Sequence, residues 1–224
     1  MKTEALIFDM DGTMVDSMPW HAQSWVAFCR QHGIQMEATE ILARTTGRTG
    51  VECMAEVFGR PLDEAEALAL VHEKEQIYRD LFADTFREIA GFTAFARQAA
   101  ARGLKLAVGT AGDKHNIAFV MSRLGMTPPP LAIVGGDEGL SGKPTPAIFL
   151  EAARRIGVAP ERCIVFEDAP FGIEAARRGG MRAVAVCSTH SAEELAGPHV
   201  IAAVRHYDEL VQSKFLEMLD VAIA

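Results

Sequence analysis

The chain is short of positive charge: 22 Lys and Arg stand against 30 Asp and Glu, a formal charge of −8 over 224 residues. That deficit argues against a general nucleic-acid binder, whose footprint is basic. It also removes simple electrostatic attraction as a way to gather anionic lipid or phosphate, so any phosphate must be handled locally. Cysteine is sparse and scattered. Cys29, Cys53, Cys163 and Cys187 include no CxxC pair, so neither a zinc site nor a disulfide framework is expected and reduced, structural thiols are. No basic segment followed by a long apolar stretch opens the chain, because Glu4, Asp9 and Asp11 follow at once. No apolar run approaches the roughly 20 residues that a membrane helix needs. The expectation from these absences is a cytoplasmic protein with neither a membrane nor a nucleic-acid partner. A monomer or weak dimer is expected alongside, though no feature of the sequence identifies the oligomeric state.

What is present is an ordinary globular mixture, 49% hydrophobic and 23% charged, long enough for one large domain or two unequal ones. Short apolar runs end in polar residues or glycine: Ala5–Phe8, Leu104–Val108, Leu131–Val134, Cys163–Phe166 and Ala183–Val186. Runs this short and rich in Val, Ile and Phe predict buried strands. Helical stretches lie between them, over Phe92–Arg102, Asn116–Leu124 and Ala147–Ile156. For the last, Thr145 is the expected N-cap and Pro146 the first helical residue. The alternation predicts a parallel α/β sheet. Residues 17–85 break the rhythm with helical spacing and no strand, so they read as a small helical domain inserted after the first strand. The stretch 207–223 reads as one packing helix.

Four elements at strand ends carry chemistry. The first strand delivers Asp9-Met10-Asp11-Gly12-Thr13, which is either a solvated turn or a carboxylate pair able to hold a metal and attack an electrophile. Gly109-Thr110-Ala111-Gly112 is either a bland turn or a loop whose N–H groups and hydroxyl hold phosphate oxygens. Lys143 stands before a helix, and Glu167-Asp168 ends another strand. Open α/β sheets bind ligands beyond the carboxyl ends of their strands, where all four elements fall. Carboxylates gathered there would raise one another's pKa values. A hard dication resolves that repulsion, and oxygen-only ligands point to Mg²⁺. Lys143 and the Thr110 loop complete the set that phosphoryl transfer needs.

In order and spacing, Phe8-Asp9-Met10-Asp11-Gly12-Thr13, Thr110, Lys143 and Glu167-Asp168 resemble the four motifs of the haloacid dehalogenase superfamily. The helical insertion resembles its C1 cap, as in the β-phosphoglucomutase and sugar-phosphatase branch. The resemblance implies a Rossmann-like, doubly wound core over residues 1–16 and 86–224, with a substrate-selecting cap over 17–85. It implies Asp9 as nucleophile and Asp11 as general acid and base. Asp9, the Asp11 carbonyl and Asp168 would hold Mg²⁺, with Glu167 directly or through water. Thr110, the Ala111 N–H and Lys143 would bind the phosphoryl group, and Gly172 would permit close backbone approach near the metal.

Within the expected cap, Gly47 and Arg48 resemble a loop that reaches substrate, and His21 a histidine at the cap entrance. Lys74, in His72-Glu73-Lys74-Glu75, reads as part of a solvated charged face, and Trp20 and Trp25 as cap core. The resemblance therefore implies a Mg²⁺-dependent phosphatase for a small phosphorylated metabolite, a sugar or polyol phosphate. A phosphoglucomutase-type enzyme is the alternative. Thr13, where mutases often carry an apolar residue, and the position of Arg48 favour hydrolysis. Asp11 disfavours a dehalogenase, and no cap lysine suits a phosphonatase. A non-catalytic phosphate-binding regulator would have no use for the acid at Asp11.

Overall fold

The computed structural model describes residues 2–45 and 50–221. Among them, six strands form one parallel sheet: β1 (Ala5–Phe8), β2 (Lys105–Gly109), β3 (Ala132–Val134), β4 (Cys163–Glu167), β5 (Arg182–Val186) and β6 (Val200–Val204). Their order is β3-β2-β1-β4-β5-β6, so the first strand of the chain lies at the centre. The chain divides into two compact units, Met1–Asp16 with Arg87–Ala224, and Ser17–Phe86. The first is an α/β unit with a doubly wound sheet and the second a helical insertion. No helix among the described residues is long and apolar enough to cross a membrane.

Side chains alternate across a strand, and both faces of this sheet are covered, which is why the central strands are continuously apolar. On one face, Ala5, Ile7, Ala107, Val165 and Ala183 pack with Phe149, Ala152, Ile173 and Ala176. The last four come from α7 (Ala147–Arg155) and α8 (Pro170–Arg178). On the other face, Phe8 and Phe166 lie 4.8 Å apart beneath α5 (Phe92–Ala101) and α9 (Tyr207–Gln212). Phe92 meets the Phe8 ring edge-on at 5.2 Å, and Tyr207 stacks on Phe166 at 5.8 Å. These aromatic pairs add about 0.5–1.5 kcal/mol each beyond their area. α6 (Lys114–Leu124) follows β2, its first turn capped by the Asp113 carboxylate.

The helical unit holds α1 (Met18–Gln31), α2 (Ala38–Thr45), α3 (Gly50–Phe58) and α4 (Glu64–Ala83). Its core is Trp25, Phe28, Cys29, Ile41, Cys53, Met54 and Val57. Within the α/β unit, the chain's exit and return are stitched together. Asp16 N–H donates to Arg87 O at 3.1 Å, and Ile89 N–H to Met14 O at 3.0 Å. Val15 bridges Glu88, and the Arg87 guanidinium pairs with the Asp16 carboxylate.

Three local expectations are corrected. A sixth strand, β6, pairs with β5. The expected single helix from 207 is two, α9 and α10 (Phe215–Val221), broken at Lys214, whose φ of 56° is left-handed. Thr145 does not cap α7: its hydroxyl bonds back to Ser141 O and Gly142 O, and the helix begins at Ala147. All four cysteines are free, and burial pushes the Cys163 thiol up to about 12, leaving it inert.

Candidate active site

Register brings the strand-end residues together. Phe8 pairs with Val108 on one side and with Phe166 on the other. The residues that follow, Asp9, Gly109 and Glu167, therefore stand at one level at the carboxyl ends of β1, β2 and β4, and Asp9 N–H donates to Phe166 O at 3.0 Å. After Asp9 the backbone turns tightly, with Met10 O accepting from the N–H groups of Met14 and Val15 at 2.8 and 3.2 Å. Gly12 sits in this turn at φ 77°, and a Cβ there would stand 2.3 Å from Asp168 Oδ2. Only glycine meets both demands.

Asp9, Glu167 and Asp168 are buried. Lys143 reaches in from the loop before α7, its Nζ 2.5 Å from Asp9 Oδ1 and 2.6 Å from Glu167 Oε1. Glu167 Oε2 accepts from Ala169 N–H at 2.7 Å. Gly172 makes room for that side chain, since a Cβ there would fall 1.8 Å from Glu167 Oε1. Asp168 Oδ1 accepts from the Thr13 hydroxyl at 3.0 Å. Three buried carboxylates thus stand around one ammonium, which bonds two of them, Asp9 and Glu167. Burial raises the Asp9 pKa well above the usual range, Lys143 opposing and the charges of Glu167 and Asp168 adding. Burial, reinforced by Glu167, pushes Asp168 up to about 7. Burial alone would lower Lys143, but Asp9 and Glu167 outweigh it and raise its pKa, so the lysine stays charged.

Thr110 is buried at the end of β2, its N–H held by Val134 O at 3.0 Å. Its hydroxyl oxygen accepts from Gly112 N–H at 2.9 Å, which leaves the hydroxyl hydrogen available to donate. Ala111 is exposed at the loop tip. Asp11 is half-buried, its Oδ2 3.6 Å from the position a Gly112 Cβ would take, so the second acid lies against the Thr110 loop. Among the described residues, no three His, Cys, Asp or Glu side chains gather around one point as a metal cage. What gathers at the strand ends is three buried carboxylates, Asp9, Glu167 and Asp168, and Mg²⁺ characteristically takes one or two carboxylates and keeps several waters. The donors are hard oxygens, and the carboxylates exceed the buried positive charge, so the set fits such an ion.

Gly47 and Arg48 lie outside the described residues. His21 is on α1 of the helical unit, stacked on Tyr78 at 3.8 Å. Lys74 is not on a solvated face. It is buried, 3.0 Å from His21 Nδ1 and 2.8 Å from Glu75 Oε1, with its ammonium 5.0 Å from the centre of the Trp25 ring. Long-range packing overrode the charge run. Trp25 is core, and Trp20 is half-buried against Phe82.

The sequence reading missed the segment after β5. Ser188 Oγ donates to Gly12 O at 2.5 Å, and Thr189 Oγ1 to Asp168 Oδ2 at 2.5 Å. Hydroxyl residues at a strand's carboxyl end were the available signal.

Fold and site together define an α/β enzyme with carboxylate-centred chemistry at the carboxyl edge of a parallel sheet. The sequence model of the haloacid dehalogenase-like hydrolases matches residues 3–180. The chain belongs to that family, and it is a phosphoric monoester hydrolase. It is 34% identical to the fructose-1-phosphate phosphatase YqaB of Escherichia coli over 183 residues, which is 81% of this chain and 95% of that protein. Hexitol phosphatase A of the same organism is 29% identical over 186 residues, 83% of this chain and 84% of that one. The crystal structure of β-phosphoglucomutase from Clostridium difficile superimposes with a TM-score of 0.82 at 25% identity, covering 99% of each chain.

Proposed function

We propose that the chain is a Mg²⁺-dependent phosphatase that hydrolyses a small sugar or polyol phosphate through an aspartyl-phosphate on Asp9. The observation that carries the reading is the buried group of Asp9, Lys143, Glu167 and Asp168 at one level of the sheet. The substrates in the names of the two phosphatase relatives, a ketose phosphate and hexitol phosphates, support the substrate class. Asp9, the backbone carbonyl of Asp11 and Asp168 would hold the ion, with Glu167 beside them. Bound there, Mg²⁺ supplies charge neutralisation between the nucleophile and the phosphoryl oxygens.

Asp9 attacks phosphorus with one carboxylate oxygen, and the bond from phosphorus to the substrate oxygen breaks. Asp11 gives its proton to the departing alkoxide. Asp11, now ionised, takes a proton from water, whose oxygen attacks the same phosphorus and releases phosphate and Asp9. Lys143 anchors Asp9 Oδ1 and fixes the carboxylate's rotation. The Thr110 hydroxyl and the Ala111 N–H donate to the phosphoryl oxygens, where charge develops. The helical insertion, residues 17–85 by the sequence, acts as the cap that selects the substrate, with Gly47, Arg48 and His21 as its contacts.

The test is phosphate release from a panel of sugar and polyol phosphates, with Mg²⁺ and with chelator. Release from at least one, dependent on Mg²⁺ and abolished by Asp9→Asn in a folded chain, is expected. Substantial turnover by Asp9→Asn would sink the covalent mechanism. The structural likeness to a β-phosphoglucomutase calls for one further arm: β-glucose 1-phosphate with glucose 1,6-bisphosphate, read for glucose 6-phosphate. Isomerisation outrunning phosphate release would replace hydrolysis with mutation.

A further inference from the structure

The segment after β5 does more than close the sheet. Cys187 N–H donates to Val204 O at 2.7 Å, and Ser188 Oγ to Gly12 O at 2.5 Å, so the segment is pinned at the sheet and at the nucleophile's turn. From this fixed base Thr189 Oγ1 stands 2.5 Å from Asp168 Oδ2 and 2.8 Å from Asp168 O. The neighbouring imidazole completes the arrangement, with His190 Nδ1 2.8 Å from Thr189 Oγ1 and 3.0 Å from Asp168 O.

Donor counting fixes the direction of these bonds. Asp168 O can only accept, so a hydrogen bond from His190 Nδ1 to it requires the tautomer that carries its proton on Nδ1. That N–H also faces Thr189 Oγ1. The single Thr189 hydroxyl hydrogen is then given to Asp168, whose Oδ2 at 2.5 Å stands nearer than its backbone oxygen at 2.8 Å. Thr13 holds the other carboxylate oxygen, Oδ1. Both oxygens are therefore anchored from outside, one by each threonine, and the carboxylate plane cannot rotate freely about its last bond. Each oxygen keeps a lone pair for another partner.

We propose that Thr189, oriented by His190, is a positioning residue that sets the Asp168 carboxylate in the attitude from which it binds the divalent cation. The inference rests on the reading of Asp168 as a metal ligand given above. Outer partners of ligating carboxylates and imidazoles tune metal affinity in this way, and their loss costs roughly 10–100-fold. Thr189 is exposed, so valine there leaves no cavity, and the Cys187 and Ser188 bonds keep the segment in place without its hydroxyl.

The experiment is calorimetric titration of the metal-free full chain with Mg²⁺ alone, paired with thermal unfolding with and without the ion. Thr189→Val is expected to weaken Mg²⁺ binding by roughly 10–100-fold and to lose the matching thermal protection. Thr189→Ser, which keeps the hydroxyl, is expected to restore binding. His190→Phe is expected to weaken it by less than Thr189→Val, and carries the test should the valine chain fail to fold. A Thr189→Val chain that binds Mg²⁺ like the parent overturns the proposal, as does one that loses stability without losing affinity. Failure of serine to restore binding overturns it too. A parent that binds no Mg²⁺ refutes the metal reading itself, and this inference falls with it. Intact parent binding with unchanged variants refutes this inference alone.

Discussion

Replacing Lys143 by methionine tests the electrostatic core of the site most directly. The side chain is nearly isosteric, but the ammonium 2.5 Å from Asp9 and 2.6 Å from Glu167 is gone. Both carboxylates are buried, with side-chain exposures of 9% and 2%, so solvent cannot take the lysine's place. Removing one partner of such a buried pair destabilises by about 3–5 kcal/mol. For a chain of this size each kcal/mol moves the midpoint by roughly 2–4 °C, so the metal-free variant should melt about 6–20 °C below the parent near neutral pH. The deficit must also depend on pH in one direction. Without the lysine that lowers it, Asp9 takes up a proton at higher pH than before, and protonation relieves the unpaired charge. Denaturation of both chains in chelator, from about pH 5 to about pH 8, should therefore show a small gap at the acid end that widens as pH rises. Turnover with Mg²⁺ should fall at least about 10²-fold, as when a donor facing developing charge is removed. A variant as stable as its parent at the alkaline end, or a gap that narrows as pH rises, would refute the reasoning.

The parent chain has its own pH signature. Asp168 rises from 3.8 to about 7 on folding, chiefly by burial, so the folded chain holds this proton more tightly than the unfolded one. Its contribution to stability is complete below about pH 4 and is lost as pH passes about 7. The melting point of the metal-free protein should drop as pH rises from about 4 to about 7 and level off above that, and saturating Mg²⁺ should flatten the drop. Gly12→Ala forces a side chain into a left-handed backbone and against Asp168. A loss of about 1–3 kcal/mol is expected, read by denaturant unfolding, together with weaker Mg²⁺ binding. Lys74→Met removes a buried ammonium that bonds His21 and Glu75 inside the helical unit. It should destabilise by about 1–3 kcal/mol through the loss of those two hydrogen bonds, measured in the same unfolding experiment.

The strand ends of the candidate site were legible in the sequence because burial on both sheet faces writes short apolar runs, and each run stops at polar residues. Asp9 after Ala5–Phe8 and Glu167-Asp168 after Cys163–Phe166 stand out for that reason. Features decided by distant partners were not legible. Val200–Val204 is a short, alanine-containing run that becomes strand only by pairing with β5 at the sheet edge. Lys74 looks solvated among His72, Glu73 and Glu75, but it is buried against His21 and Trp25, some fifty positions earlier. The break at Lys214 is a left-handed residue that is not glycine, which no local pattern announces. Thr189 escaped notice because its meaning lies in the carboxylate across from it. Local patterning thus reveals the candidate site residues, and the groups packed against them emerge only from the folded chain.

The seam at Asp16 and Arg87 has a consequence for how the molecule tolerates change. The α/β unit gives up its chain and takes it back at two adjacent, hydrogen-bonded positions. From the sheet's side, an excursion of about 70 residues is therefore no more demanding than a tight connection. Lengthening such a detour adds only about 0.6 kcal/mol per doubling. Whatever is threaded through this gate can grow, shrink or be exchanged for another folded segment, while the strand carrying Asp9 keeps its neighbours on both sides.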